Sequence, residues 1–332
     1  PIDADVFFEL GNHVTGFHQV YDINEQANAA DFTRHEFNNH LSAPDELYDT
    51  AIVYMPKVKA HLTMLLANLA NVVKPQGQIF IVGHNKSGIK SCGKHLEVVC
   101  DHVNKVDSAK HCGMFVGTVK AGAKAFDLDS YLTTKTYELN DVTWQVAGLP
   151  SVFSQDALDP GTHILLSHLP KNMKGQVLDF ACGAGVIAAY VGVQHAKFNA
   201  ENDSNSPLHL VLSEINALSL YCAQRTLHLN HLQGDVIASN GLTNVEGKFA
   251  HIITNPPFHT GVNTDYSIAY GFLAQAREHL IEQGSLVLVA NSFLNYADVM
   301  LEHVGPSSKL GGNNRFSVYQ AIAARAPKVQ KK

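Results

Sequence analysis

The sequence lacks the short motifs that mark several large enzyme classes. Its 332 residues contain no complete P-loop, in which Gly-Lys is followed by Ser or Thr, no Gly-x-Ser-x-Gly nucleophile elbow and no His-Glu-x-x-His zinc motif. Nucleotide hydrolysis, serine-esterase chemistry and zinc-peptidase chemistry are therefore disfavoured. The 19 histidines show no convincing paired-ligand spacing, so we predict no metal site.

Cysteine, net charge and long apolar runs are also scarce. The five cysteines form no Cys-x-x-Cys pair, which predicts neither a disulfide framework nor a zinc knuckle. The net charge is 24 − 30 = −6, so a nucleic-acid partner would have to be held by a local basic patch. No run reaches the roughly 18 apolar residues of a membrane span, and the first residues lack the basic and apolar regions of a signal peptide. We expect a cytoplasmic protein with no membrane partner.

The composition is that of a globular protein, with 45% hydrophobic and 16% charged residues. At about 150 residues per domain, the length predicts two domains. The second half alternates short apolar strands with segments of helical length, which predicts a parallel α/β sheet of six or seven strands covered by helices. We predict strands at 176–181, 209–213, 235–238, 250–254, 285–290 and 315–323, and helices at 186–197, 217–230 and 266–281.

The first half repeats part of this plan. Residues 50–56 and 251–256 are both strands that run into proline, and each is followed by an amphipathic helix and a further strand. This predicts the duplication of a whole domain. The first copy has no strand followed by a glycine loop, so we expect it to bind no cofactor. A hairpin predicted within 134–146 marks the boundary, which gives domains at 1–135 and 136–332.

The best candidate for ligand binding follows the strand at 176–181. Asp179 to Gly185 forms a turn with glycines at 183 and 185, where the backbone can approach a ligand closely. Glu214 ends the next strand, where a carboxylate can accept hydrogen bonds from ribose hydroxyls. Asn240 follows the third strand and could contact an adenine edge. Each feature has a structural alternative. The glycine turn could be purely structural, Glu214 could cap or begin a helix, and Asn240 could be an ordinary turn residue.

The most specific motif is Asn255-Pro256-Pro257-Phe258. Two prolines fix the backbone, the asparagine carries a carbonyl acceptor, and the phenylalanine offers a flat face for stacking. The lone pair of an aromatic amine is delocalised into its ring, so an enzyme that methylates it must hold the NH₂ group with acceptors. The side-chain oxygen of Asn255 and the carbonyl of Pro256 could do this. A plain proline turn is the alternative.

These features resemble the class I S-adenosylmethionine-dependent methyltransferases that act on amino groups and carry an Asn-Pro-Pro-aromatic motif. Within that class, the chain resembles the 16S ribosomal RNA guanine-N2 methyltransferases over nearly its whole length, most weakly before residue 48. The runs that carry this resemblance are Val82–Lys90, Lys105–Lys110, Val152–Thr162, Asn255–Phe258 and Arg315–Tyr319.

The resemblance implies two tandem Rossmann-like class I methyltransferase domains, of which the N-terminal one is degenerate and the C-terminal one catalytic. It implies methyl transfer from S-adenosyl-L-methionine to N2 of a guanine in 16S rRNA, at position 1207, in the assembled small ribosomal subunit. We expect a flipped guanine stacked on Phe258. The implied site residues are Asp179, Ala181, Gly183 and Gly185 in the cofactor loop, Glu214 at the ribose, Asn240 at the adenine, and Asn255, Pro256, Pro257 and Phe258 at the target base.

Two residues depart from the common pattern of such enzymes. Ala181 stands where many methyltransferases have a first glycine, which is tolerable if its φ is negative. Asn240 replaces the commoner aspartate at the position implied to contact the adenine. Neither change disables the site.

The charge of the first half is unevenly distributed. Residues 1–50 hold ten acids and one base, whereas residues 57–124 hold ten lysines and three acids. Lys86, Lys90 and Lys94 lie among Ser and Gly after a strand end, as expected for loop contacts to RNA phosphates. A solvated lysine face is the alternative.

Three other functions compete with rRNA methylation: methylation of DNA adenine N6, methylation of a protein glutamine, and a ribosome assembly factor that has lost activity. The duplicated first domain disfavours the first two, and the glycine loop with Glu214 and Asn255 argues against the third. We expect a monomer that binds 16S rRNA in the small subunit.

Overall fold

A computed structural model describes residues 14–29, 34–154, 157–256 and 266–324. In chain order the strands are β1 (Thr15–His18), β2 (Arg34–Phe37), β3 (Tyr48–Tyr54), β4 (Val73–His84), β5 (Cys100–Ala109), β6 (Cys112–Val119), β7 (Thr133–Leu139), β8 (Val142–Gly148), β9 (Gly175–Phe180), β10 (Leu208–Glu214), β11 (Gly234–Ala238), β12 (Phe249–Thr254), β13 (Leu280–Asn291), β14 (Ser307–Gly312) and β15 (Phe316–Ile322). The helices are α1 (Tyr21–Asn28), α2 (Lys59–Val72), α3 (Cys92–Val99), α4 (Pro160–Ser167), α5 (Val186–Glu201), α6 (Ala217–Leu229), α7 (Tyr266–His279) and α8 (Tyr296–His303).

The chain divides into two units. The described residues of the large unit lie within 14–37, 133–148 and 152–324, and the small unit comprises 38–132 and 149–151. The predicted division into residues 1–135 and 136–332 differs from these two units in two ways. It cuts through β7, and it assigns β1, α1 and β2 to the first domain although they belong to the large unit.

Hydrogen bonds between distant residues explain why this N-terminal segment belongs to the large unit. The backbone N–H of Tyr21 donates to the carbonyl of Ile215 at 2.8 Å, and Ala217 N–H donates to the carbonyl of Gln19 at 2.9 Å. The Nδ2 atom of Asn244 donates to the hydroxyl oxygen of Tyr21 at 2.7 Å. Such pairings are not visible in the local sequence pattern.

The large unit is built on a seven-stranded sheet in the order β11-β10-β9-β12-β13-β15-β14. β11, β10, β9, β12 and β13 run parallel, whereas β15 is antiparallel to both β13 and β14. The predicted α/β class is confirmed, and the predicted strands and helices agree with the structure to within a few residues except at the ends of β13 and α5. The sequence did not identify α4 and α8, because helices of eight residues show too little periodicity.

Apolar side chains from sheet and helices form the core of the large unit. Leu178, Ile252, Leu286 and Leu288 on the strands pack with Leu273 on α7. The predicted hairpin is present as β7 and β8, with positive φ at both turn residues, Asn140 and Asp141, as a two-residue hairpin turn requires.

The small unit contains a four-stranded sheet in the order β3-β4-β6-β5. β3 and β4 are parallel, and β6 is antiparallel to both β4 and β5. The same order and directions occur in β12-β13-β15-β14 of the large unit, as the predicted duplication requires. The described part of the small unit thus reproduces one half of the larger sheet. No helix in the described ranges is long and apolar enough to cross a membrane.

Candidate active site

The carboxyl ends of β9, β10 and β12 meet at one edge of the large sheet. β10 and β12 flank β9 on opposite sides, so the strand order reverses there, as it does at the ligand crevice of open α/β sheets. Cys182 N–H donates to the carbonyl of Ser213 at 3.0 Å, and Thr254 Oγ1 donates to the carbonyl of Phe180 at 2.8 Å. These hydrogen bonds hold the carboxyl end of β9 to the ends of β10 and β12.

The glycine loop makes three left-handed turns of the backbone. The φ angles are +54° at Ala181, +53° at Gly183 and +76° at Gly185. The condition under which alanine is tolerable at position 181, a negative φ, is therefore not met. The backbone of Ala181 thus adopts a left-handed conformation that favours glycine, because the Cβ of an alanine is crowded there.

The two glycines of the loop serve different purposes. A Cβ on Gly185 would lie 3.1 Å from Leu212 Cδ2 and 3.3 Å from Ala223 Cα, so this glycine lets helix and sheet pack closely. A Cβ on Gly183 would meet only Phe153 Cβ, at 4.0 Å. The backbone at Gly183 therefore faces open space in which a ligand can lie against it.

Glu214, at the end of β10, holds the glycine loop in place through a hydrogen bond. Its Oε2 atom accepts a hydrogen bond from Gly183 N–H at 2.9 Å. Its Oε1 atom accepts from Ile215 N–H at 2.8 Å and Asn216 N–H at 3.2 Å. Since a carboxylate has about four acceptor sites, Oε2 retains capacity for one more donor, such as a ribose hydroxyl.

Asp179 lies beneath the loop and is almost fully buried. Its Oδ2 atom accepts a hydrogen bond from Ala188 N–H at 2.9 Å, whereas Oδ1 has no partner among the described residues. The pKa of the Asp179 carboxyl is raised to about 8, chiefly because the group is buried; the hydrogen bond from Ala188 N–H opposes this shift, and the nearby charge of Glu214 adds to it. At neutral pH the carboxyl therefore holds its proton, and the oxygen without a partner, Oδ1, is available to carry it as a hydrogen-bond donor.

Asn240 is exposed, in the turn after β11. Its backbone carbonyl accepts a hydrogen bond from Thr243 Oγ1 at 2.9 Å. Its side chain makes no hydrogen bond within the part of the chain that the structure describes. Asn240 therefore follows β11, the strand beside β10, which ends at Glu214. This is the predicted location of an adenine contact, but the contacts of Asn240 within the described residues are those of a turn residue.

Asn255 follows β12 directly and is half-buried. Its Nδ2 atom donates to Asp159 Oδ2 and to Thr162 Oγ1, both at 2.9 Å. Pro256 is buried beside it. Pro257 and Phe258, the other two residues of the predicted motif, lie outside the described residues.

Sequence reasoning assigned no role to three residues that the structure brings to this site: Phe153, Asp159 and Thr162. All three belong to the run Val152–Thr162, which contributed to the family resemblance. Phe153 is 60% exposed and lies over Gly183. Both the exposure of this aromatic side chain and its position beside the glycine loop are visible only in the structure.

The site fits the predicted cofactor. The open space over Gly183 admits a ligand, Glu214 can accept from a ribose hydroxyl, and exposed Phe153 offers an apolar face. No cluster of potential metal ligands was found in the described ranges. The arrangement suits a nucleoside-containing ligand held between the ends of β9 and β10, with the amide of Asn255 beside it at the end of β12.

The three predicted RNA-binding lysines lie together in the small unit. Lys86 and Lys90 occupy consecutive 3-10 turns after β4, and Lys94 lies in the first turn of α3. All three are exposed. Their ammonium groups form no ion pair with any residue that the structure describes.

Comparisons with known proteins place these features in a family. The profile of the "Methyltransferase small domain" matches residues 143–320, and that of the "Methyltransferase small domain N-terminal" matches residues 5–135. A protein of Pseudoalteromonas atlantica named ribosomal RNA small subunit methyltransferase C is 42% identical over 325 residues, covering 96% of this chain and 92% of the relative. The protein of that name from Serratia proteamaculans is 39% identical, covering 86% of this chain and 77% of the relative.

A solved structure shares the fold. It is the T. thermophilus 16S rRNA N2 G1207 methyltransferase (RsmC) in complex with AdoMet and guanosine, with a TM-score of 0.80 and 21% identity. The match covers 93% of this chain and 82% of that one. Two α/β units with the topology of class I methyltransferases are thereby confirmed, and the chain belongs to the ribosomal RNA small subunit methyltransferase C family.

Proposed function

We propose that this protein transfers a methyl group from S-adenosylmethionine to the exocyclic N2 of a guanine in 16S rRNA of the small ribosomal subunit, at the position equivalent to 1207. The relatives that cover most of the chain are named ribosomal RNA small subunit methyltransferase C, and the protein with the same fold, a 16S rRNA N2 G1207 methyltransferase, was solved with AdoMet and guanosine. The arrangement of the site supports the same reaction.

The observation that carries the proposal is the position of Asn255. Its amide nitrogen is held by Asp159 and Thr162 at the carboxyl end of β12, next to the strand that leads into the glycine loop. An acceptor oxygen fixed beside a cofactor loop is what methylation of an aromatic amine requires, because the amine must be turned with its lone pair toward the methyl donor.

Each residue of the site has its own role in the proposed methyl transfer. The methyl group would come from the sulfonium of S-adenosylmethionine, whose S–CH₃ bond would break as the N–CH₃ bond forms, leaving the neutral thioether S-adenosylhomocysteine. Ala181, Gly183 and Gly185 form the loop that holds the cofactor, with Asp179 beneath the loop, Glu214 at the ribose and Asn240 at the adenine. Asn255 Oδ1 and the Pro256 carbonyl accept the two N–H groups of the guanine amine. A proton leaves the nitrogen for water after transfer, so the site needs no strong general base.

The remaining assignments extend this proposal. Pro257 and Phe258 complete the base site, with the flipped guanine stacked on Phe258. The exposed lysines 86, 90 and 94 contact rRNA phosphates, which fits the local excess of basic residues. The small unit then serves RNA docking and the large unit catalysis, in a cytoplasmic monomer that acts on the assembled subunit.

The test is transfer of labelled methyl groups to purified small subunits, with nucleoside analysis of the product. We expect N2-methylguanosine from the wild type and at least a 100-fold slower reaction from Asn255→Ala, because roughly this factor is lost when a transition-state hydrogen bond is removed. Asn202→Ala is the matched control, since Asn202 is an exposed asparagine in the same unit.

Other outcomes discriminate between the alternatives. Label in N6-methyladenine of DNA or in a protein glutamine would refute the substrate. If the protein binds S-adenosylmethionine weakly or not at all and labels no acceptor, it is an assembly factor instead.

A further inference from the structure

The amide of Asn255 is oriented by two residues of another segment. Asp159 is the N-cap of α4, and its Oδ2 atom accepts a hydrogen bond from Thr162 N–H at 2.8 Å. The same oxygen accepts from Asn255 Nδ2 at 2.9 Å. Because the helix cap fixes this oxygen, the partner of Asn255 has one defined position.

Thr162 supplies the second acceptor. Its side chain is 5% exposed, and its Oγ1 atom accepts from Asn255 Nδ2 at 2.9 Å. An asparagine amide nitrogen has two N–H donors, so Asp159 and Thr162 together use both of them. Within the described residues, no donor contacts Asn255 Oδ1.

This pattern permits only one orientation of the amide. An ionised carboxylate can accept hydrogen bonds but cannot donate them. If the amide were flipped, Asn255 Oδ1 would stand against Asp159 Oδ2 at hydrogen-bond distance with no proton between them, which is repulsive. The nitrogen must therefore face Asp159, and the carbonyl oxygen must point away from it.

Gly161 keeps the space that this arrangement needs. A Cβ on Gly161 would lie 2.9 Å from Asp159 Oδ2 and 3.3 Å from Phe316 Cε1. A side chain there would displace the carboxylate or the ring. The glycine between Asp159 and Thr162 thus allows both residues to reach Asn255.

We propose that Asp159 and Thr162 are positioning residues, which hold the amide of Asn255 so that its carbonyl oxygen is presented to the amine of the target base. This role rests on the proposed methyl transfer. The negative charge of Asp159 also polarises the amide and makes Oδ1 a stronger acceptor. The benefit is greatest as the amine nitrogen becomes positive during transfer, so both residues act on the rate of the chemical step.

The test compares substitutions that differ in one hydroxyl group. Thr162→Val has nearly the same shape but cannot accept a hydrogen bond, whereas Thr162→Ser retains the hydroxyl. We expect Thr162→Val to lower kcat roughly 3- to 10-fold, the factor for one neutral hydrogen bond, with the Kd for S-adenosylmethionine and the KM for subunits unchanged. We expect Thr162→Ser to restore most of the lost rate.

A second pair of variants addresses Asp159. Asp159→Asn keeps an oxygen that can cap α4 and accept from Asn255, so we expect a smaller loss of kcat than in Asp159→Ser, which retains a cap but no amide or carboxylate group. Melting temperatures of all variants identify any that fail through unfolding.

The outcomes separate this role from the proposed function. If the wild type methylates no guanine, the proposed function fails. If the wild type is active and Thr162→Val retains the wild-type kcat, the positioning role is overturned. It is equally overturned if cofactor affinity and kcat fall together, or if Thr162→Ser is as slow as Thr162→Val, because either result indicates a structural role.

Discussion

The carboxylate of Glu214 accepts a hydrogen bond from the backbone N–H of Gly183, with 2.9 Å between Oε2 and the nitrogen. The same carboxylate accepts two further N–H groups from the turn after β10. The residue proposed to bind the ribose therefore also sets the conformation of the loop proposed to hold the rest of the cofactor.

Glu214→Gln is expected to weaken binding of S-adenosylmethionine by roughly 10- to 100-fold, the range for losing one hydrogen bond to a charged group. If the glutamine oxygen keeps the contacts to Ile215 and Asn216, its NH₂ group faces the N–H of Gly183, and two donors oppose each other. Isothermal titration calorimetry measures the affinity.

Asp235→Asn is the control for Glu214→Gln. It removes the same charge from an exposed side chain on the adjacent strand, where Asp235 pairs with His209. We expect its affinity for S-adenosylmethionine to stay within about twofold of the wild type, as for an exposed ion pair. Equal losses in the two variants would show that net charge, and not the link to Gly183, determines the affinity.

Ala181→Gly is expected to stabilise the protein. A left-handed φ destabilises the folded state by about 1–2 kcal/mol for a residue with a Cβ. Replacing alanine by glycine destabilises it by about 0.4–1 kcal/mol, because the unfolded chain gains conformational entropy. The difference between these ranges is a net gain of about 0–1.6 kcal/mol in the free energy of unfolding, with a midpoint of about 0.8 kcal/mol, and urea denaturation measures it. Ala189→Gly, within α5, should destabilise the protein by about 1 kcal/mol. A decrease in both variants would contradict the strain at Ala181.

Asp179 gives the protein a pH-dependent stability. The pKa of its carboxyl is raised by burial to about 8 in the folded chain, against about 3.9 when unfolded. The folded state therefore binds more protons between about pH 4 and 8, and the contribution of this group to stability falls as pH rises through that range. Asp179→Asn has no such titration and keeps an oxygen for Ala188 N–H.

We therefore expect the melting temperature of Asp179→Asn, relative to that of the wild type, to increase steadily from pH 5 to pH 8. Calorimetric scans of both proteins across this range measure the difference. A difference that does not change with pH would mean that the carboxyl titrates equally in the folded and unfolded chains.

The amino-acid sequence predicted those parts of the fold and of the site that depend on a local pattern of residues. The alternation of apolar strands and helices predicted β9 to β13 and placed Glu214 and Asn255 at strand ends, because period and turn residues act over a few positions. The φ of Ala181 was not predictable, since it depends on how the loop packs against its neighbours. The pairing of Asn255 with Asp159 spans 96 residues, and that of Asn244 with Tyr21 spans 223, so neither leaves a local signal.

Tyr21→Phe tests whether the N-terminal segment stabilises the large unit. The substitution removes the hydroxyl that accepts from Asn244 Nδ2, and Asn244 also donates to the Ala238 carbonyl at the end of β11. We expect the free energy of unfolding to fall by about 0.5–1.5 kcal/mol, measured by urea denaturation. Tyr131→Phe, in the small unit, is the control, because its hydroxyl has no hydrogen bond among the described residues. Equal effects would show that Tyr21 does not hold the segment in place.

The lysine cluster is tested through the salt dependence of RNA binding. Each phosphate contact contributes about 0.7–0.9 to the slope of log affinity against log salt, so replacing Lys86, Lys90 and Lys94 together by Gln should make the slope for small-subunit binding shallower by roughly two. The control replaces three lysines already paired with acids, namely Lys74, Lys120 and Lys197. The control variant loses the same positive charge. Because carboxylates already engage those three ammonium groups, we expect the slope to stay nearly unchanged. Filter binding at a series of KCl concentrations measures both, and identical slopes would assign the affinity to overall charge and not to this cluster.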